Sequence, residues 1–261
     1  MTDTVLTERQ GDVLVIRLND PPAMNALNPE MARKITGIMG DLPDGVRAVV
    51  FAGSERVFCA GANLWGDNQV DMSSPDFDGG EFLHVNINPM MQSIKDSKVP
   101  VLSAVHGAAI GVGAAIALAS DIVIAGAGAF FVPAFTQVGL APDSGMPFLL
   151  ARSVGRMRAM ELMLMAERLP AAKALEWGLI TRVVEDSAVE TTVMELAAKL
   201  ARGATKALAM TRKEVWAGAT LNFEDELKLE SRVQRDIVRT KDFWEGMAAF
   251  SEKRPPRFTG S

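Results

Sequence analysis

The sequence predicts an α/β fold, and three observations predict it. Short apolar runs bounded by Gly, Asp and Pro alternate with helical stretches through the first part of the chain. From about Arg156 the pattern turns almost wholly helical. The 261 residues, 48% apolar and 23% charged, suffice for one substantial core with a smaller appended element.

Residues 13–18 (VLVIRL) and 46–52 (VRAVVFA) are short apolar runs that read as buried strands. Between them, residues 28–40 (NPEMARKITGIMG) offer Asn28 as an N-cap, Pro29 at the first helical position and Glu30 after it. A strand at 99–105, a helix at 113–120 and a strand at 122–125 continue the alternation. Helices are expected at 157–166, 171–177, 188–201, 205–217 and 223–239, with one more strand within 179–184. The chain therefore divides into a core over 1–190 and a helical region over 191–261 suited to oligomerisation. Residues 66–80, rich in Asp, Ser, Asn and Gly, read as a loop, and there is no fixed-period repeat.

Composition narrows the chemistry. There is no tyrosine to act as an acid or oxyanion donor, and only His84 and His106 could serve as imidazole bases. The formal charge of -5 argues against a nucleic-acid surface, and the single cysteine excludes an internal disulfide or a multi-cysteine metal site. The opening residues MTDTVLTERQGD lack the basic and apolar regions of a signal peptide, and no apolar run reaches the roughly 18 residues of a membrane span. A soluble cytoplasmic protein without membrane or nucleic-acid partners is expected.

Two stretches of small residues stand out. FCAGANL (58–64) leads from an apolar strand into Cys59, Ala60, Gly61 and Ala62, with no acid or base at the bend. HGAAIGVGAAIALA (106–119) opens a helix at Gly111, Val112 and Gly113. First-turn N–H groups have no partner within their own helix, and flanking glycines let a ligand approach them. Two such bends facing each other would make an oxyanion hole, worth about 3 kcal/mol per donor when charge develops on a carbonyl. Close packing of backbone is the alternative reading. The Gly-Val-Gly step lacks the third glycine of a dinucleotide fingerprint.

In order along the chain, FCAGANL, AVHGAAIGVGAAIALASDIVIAG, VGLAPDSG, AKALEWGLI and EGMAAFSEKRPPRF resemble the crotonase (enoyl-CoA hydratase/isomerase) superfamily through nearly the whole length. The resemblance implies a spiral of ββα units, a C-terminal helical oligomerisation region, a homotrimer or homohexamer, and a place in fatty acid metabolism. It implies acyl-CoA substrates, with coenzyme A entering as part of the thioester and neither a permanent cofactor nor a metal. By motif match the oxyanion donors fall on Ala62 and Val112; the family usually has glycine where Val112 stands. Ala26, Ala60 and Leu64 would lie along the CoA, and Phe250 and Lys253 would reach a neighbouring subunit's CoA.

The two glutamates of the hydratases correspond to Ala115 and Phe135, neither of which carries a proton, so efficient hydration is not expected. Asp143 coincides with the aspartate used by some isomerases of the superfamily, where one carboxylate takes a proton from one carbon and returns it to another. Apolar Phe135 and Phe148 nearby would raise its pKa toward that of a working base. Three other readings stay open. Asp143 before Ser144 and Gly145 is also an ordinary N-cap. It matches the nucleophile of hydrolytic dehalogenases, although Asn88 and Phe135 stand where those have histidine and tryptophan. The chain could also be a non-catalytic acyl-CoA- or RNA-binding scaffold. His106 and Cys59 read as structural, and His84 lies in the segment 81–94 expected to line the pocket.

Overall fold

A computed structural model describes residues 3–54, 56–63 and 74–261. Strands β1 (Val5–Gln10) and β2 (Val13–Leu18) form an antiparallel hairpin. Beside β2, strands β3 (Ala48–Ala52), β5 (Val101–Val105), β7 (Ile122–Gly126) and β10 (Arg182–Val184) line up in parallel, in the order β1-β2-β3-β5-β7-β10. A second sheet holds β4 (Val57–Cys59), β6 (Ala108–Ile110), β8 (Phe130–Val132) and β9 (Leu169–Pro170).

Consecutive strands β3 and β4, β5 and β6, β7 and β8 each split between the two sheets, and a helix follows each pair. After β4 come a short helix α2 (Gly79–Phe82), a π-helical turn (Leu83–Ile87) and α3 (Asn88–Lys95). After β6 comes α4 (Val112–Leu118), after β8 comes α5 (Met146–Met165), and after β9 comes the short α6 (Ala171–Glu176). This is the expected spiral of ββα units. Helix α1 (Pro29–Gly40) starts as its residues dictate: the Asn28 side chain accepts the Met31 N–H at 2.8 Å, and Pro29 needs no partner.

The central strands are buried on both faces, which is why they read as unbroken apolar runs. Val49, Phe51, Val101 and Val105 point into the main core, while Ala48, Val50, Ala52, Leu102 and Ala104 point the other way. That second face is covered by α7 (Val189–Ala201), whose Val189, Val193, Ala197 and Ala201 recur every four residues along one stripe. Helices α8 (Thr205–Gly218), α9 (Phe223–Ile237) and α10 (Lys241–Ser251) follow. Buried Arg212 fastens α8 to the core: it meets Asp121 Oδ2 at 2.5 Å and donates to the carbonyls of Ser97 at 2.5 Å and Ile94 at 3.1 Å.

Two expectations change. The helix expected at 157–166 is the second half of α5, which begins at Met146 and is interrupted at Gly155, where φ is +79°. β1, β6, β8 and β9 were not expected: β1 buries only Val5, and the other three are two or three residues long. The loop expected at 66–80 falls largely outside the described residues. Among the described residues no helix is long and apolar enough to cross a membrane.

Candidate active site

Strands β4 and β6 pair in parallel, with Cys59 opposite Ala109, so their C-terminal ends lie side by side. The two small-residue bends leave from those ends, as Ala60-Gly61-Ala62 and Gly111-Val112. Both glycines have positive φ, +102° at Gly61 and +50° at Gly111, which a side chain would resist. A Cβ on Gly111 would stand 3.9 Å from the Cα of Gly61, and one on Gly61 would stand 3.3 Å from the Ile110 carbonyl oxygen. The bends therefore meet.

The hydrogen bonds around them leave the Ala62 and Val112 N–H groups among the donors not taken up by the described residues. Leu27 N–H donates to Gly61 O at 2.7 Å, Asn63 N–H to Leu27 O at 2.9 Å, and Ala60 N–H to Met24 O at 3.1 Å. Ala115 N–H donates to Gly111 O at 3.0 Å. Neither Ala62 N–H nor Val112 N–H donates to any group among the described residues. An N–H without a protein partner is what an oxyanion hole requires. The Val112 side chain belongs to the main apolar core.

The segment carrying buried Ala26 runs beside this bend through the Met24, Leu27 and Gly61 bonds, so Ala26 and Ala60 lie in one strip with Ala62. Leu64 lies outside the described residues. Phe250, on α10 and 86% exposed, and Lys253, in the turn after it, form no bond with the bends. Within one chain they are surface residues.

Asp143 sits in the loop before α5, and its side chain does not cap that helix. Ser144 and Gly145 both have positive φ, +56° and +74°, which places an extra turn between the aspartate and the helix. The residue at the cap position is Gly145, and Met146 N–H is taken by the backbone carbonyl of Asp143 at 2.9 Å. The N-cap alternative is thus corrected. Among the described residues the carboxylate accepts one hydrogen bond, from Ser144 Oγ to Oδ1 at 2.6 Å. Burial pushes its pKa above the ordinary carboxylate value, and the Ser144 hydrogen bond works against that rise.

Around these groups the apolar substitutions hold. Ala115 is fully buried, and the Phe135 ring reaches to 3.9 Å from where a Cβ of Gly111 would be. Both positions that the resemblance matches to the hydratase glutamates are therefore occupied by hydrocarbon side chains. Phe148, expected beside Asp143, stacks on Trp216 at 6.1 Å between ring centres and walls a cavity of about 1410 Å³. Asn88, Met91, Ser144, Met210 and Trp216 share that cavity, whereas Ala62 and Val112 do not line it. Buried His106 binds the Asp186 carbonyl oxygen through Nε2 at 3.1 Å, and His84 is exposed. Burial raises the Cys59 thiol to about 11, so it is inert. No group of residues suited to a metal ion occurs among the described residues.

Sequence reasoning overlooked Ser144 as a partner of Asp143 and Arg212 as a fastening residue. In the Asp-Ser-Gly triplet that reasoning gives roles to Asp143, as acid/base, nucleophile or cap, and none to Ser144.

A spiral of ββα units with small-residue bends at adjoining strand ends defines an enzyme of the crotonase superfamily. The sequence matches the enoyl-CoA hydratase/isomerase family over residues 8–261, and the chain belongs to that family. It is 41% identical over 257 residues to a protein of Rhodobacter capsulatus named probable enoyl-CoA hydratase, covering 98% of each. It is 37% identical over 262 residues to the 1,2-epoxyphenylacetyl-CoA isomerase of Escherichia coli, covering 100% of each. A crystal structure of an enoyl-CoA hydratase from a Polaromonas species superposes with a TM-score of 0.89 at 30% identity, covering 98% of this chain and 99% of that one.

Proposed function

We propose that this enzyme moves a carbon–carbon double bond in an enoyl- or dienoyl-CoA thioester, with Asp143 as the single acid/base. The observation that carries this reading is the state of Asp143. It is a carboxylate raised by burial, not used as a cap, with one oxygen held by Ser144 and the other without a partner among the described residues. Ala115 and Phe135 put no second acid at either matched position for adding water.

For a 3-enoyl thioester, Asp143 takes a proton from carbon 2. The C–H electron pair forms the dienolate, whose negative thioester oxygen accepts from Ala62 and Val112 N–H. Asp143 then returns the proton to carbon 4, the double bond settles between carbons 2 and 3, and the carboxylate is regenerated. Ala26, Ala60 and Leu64 would run along the CoA, with Phe250 and Lys253 of a neighbouring copy closing over it in a trimer or hexamer. The apolar side chains left open on α5, α9 and α10 support such an assembly: Met157, Leu164, Phe223 and Trp244 are each more than 60% exposed.

Two measurements separate this reading from its rivals. An acyl-CoA should raise the melting temperature, whereas a scaffold without a CoA site gives no shift. Mass spectrometry of enzyme quenched during turnover should show unmodified protein; a covalent adduct on Asp143 would establish a hydrolytic nucleophile instead.

A further inference from the structure

We infer that Ser144 is the positioning residue for Asp143: its hydroxyl fixes one carboxylate oxygen and so leaves the other aimed at substrate. The inference rests on the reading of Asp143 as acid/base.

The backbone provides the first observation. Ser144 has φ +56°, a left-handed conformation that residues with a Cβ seldom adopt and that glycine adopts freely. Gly145 next to it is also left-handed, so the loop already contains one glycine at such a position. A serine at the other disfavoured position points to a use for its hydroxyl.

The hydroxyl supplies the second. Ser144 is 2% exposed, and its Oγ donates to Asp143 Oδ1 at 2.6 Å, the length of a hydrogen bond to a charged oxygen. The left-handed turn is what folds the side chain back onto the preceding residue. No other side chain donates to the Asp143 carboxylate among the described residues.

The third observation concerns the surroundings. Ser144 walls the same cavity as Asn88 and Phe148. Charged groups on the elements facing that cavity are Lys95, Asp96 and Lys98 beside α3, Lys206, Arg212 and Lys213 on α8, and Asp236 on α9. Lys95 is paired with Asp96 and Arg212 with Asp121. None of the seven acts on the Asp143 carboxyl, where burial raises the pKa and only Ser144 opposes it. Arg152, on α5, lies over the Phe148 ring at 4.3 Å and adds nothing to Asp143 either. Among the described residues the Ser144 hydrogen bond therefore tunes the base without competition from a charge.

The test compares Ser144→Ala, Ser144→Gly and Ser144→Thr with the parent enzyme. Asp143 is titrated by carboxyl ¹³C NMR, its signal assigned with Asp143→Asn, and the pH profile of kcat/KM is recorded on a 3-enoyl-CoA. Alanine and glycine should both move the Asp143 midpoint, and the acid limb of the profile, to higher pH. At pH values on that limb kcat/KM should fall about tenfold. Threonine should return both toward the parent. Glycine, which fits the left-handed turn, should melt higher than alanine, separating backbone strain from the hydrogen bond. If neither alanine nor glycine moves the Asp143 midpoint, the proposal is overturned. If the midpoint moves while the parent enzyme isomerises no enoyl-CoA, Ser144 still positions Asp143 and only the functional reading falls.

Discussion

At the scale of single residues, the account turns on what Asp143 is not doing. A carboxylate that capped α5 would have its negative charge committed to backbone N–H groups. Here the helix starts from a left-handed glycine, and Asp143 keeps one oxygen without a partner among the described residues. Replacing it therefore removes no cap, and neither Asp143→Asn nor Asp143→Ala should lose the roughly 1 kcal/mol that cap removal costs. The sign of the pH dependence follows from burial. A carboxyl whose folded pKa lies above its unfolded value binds its proton more tightly in the fold. Its contribution to stability is thus greatest in acid and is lost as pH rises through the folded value. Catalysis runs the other way, because the base must be ionised. Thermal melts from pH 4 to 8 should show Asp143→Asn gaining on the parent as pH rises, while parent activity rises over the same range. A variant that melts several degrees lower at every pH would restore a structural role.

At the scale of elements, α4 and α8 show how packing serves the site. A Cβ on Gly113 would lie 2.6 Å from both the Cβ and the carbonyl oxygen of Cys59, so α4 can sit this close to β4 only without a side chain there. That approach holds the start of α4, with its Gly111 bend, against the Gly61 bend. Gly113→Ala should cost about 1–3 kcal/mol by overpacking and lower kcat, since it displaces one donor. Denaturant melts and steady-state kinetics on one preparation check both halves. Arg212 presents a different case. Burial raises the Asp121 pKa, and the Arg212 charge opposes that rise. Arg212→Ala removes the charged donor from the Asp121 carboxylate, which keeps only the Val101 N–H among the described residues, and a donor from each of three carbonyls. A loss of about 3 kcal/mol is expected, with faster amide exchange in α8 than in α7. Uniform exchange across both helices would show that α8 is held by other means.

At the scale of the whole molecule, legibility in the sequence tracked how local each cause was. β2 and the Asn28-Pro29 start of α1 were readable to the residue because period and cap chemistry act within a few positions. β6 was hidden inside HGAAIGVGAA, since a three-residue strand of small side chains carries no period. The meeting of the Gly61 and Gly111 bends depends on β4 pairing with β6 across some fifty residues of sequence, and only the family resemblance announced it. Ser144 was illegible as a partner because serine gives no hint of a left-handed backbone. The exposed apolar faces of α5, α9 and α10 lead to one expectation at this scale. Light scattering at micromolar concentration should give a trimer or hexamer, and a stable monomer would leave Phe250 and Lys253 without a neighbouring site to complete.

The most direct test of the central claim is isomerisation of a 3-enoyl-CoA in deuterated buffer by the parent enzyme and by Asp143→Asn. Product formation and deuterium incorporation are followed together by mass spectrometry. The account predicts that the parent yields the 2-enoyl product, with deuterium entering carbon 4 only to the extent that the proton held on Asp143 exchanges with solvent before its return. Asp143→Asn, still folded and still binding the thioester, should lose both by roughly a hundredfold or more. Conversion at the parent rate by Asp143→Asn would contradict it.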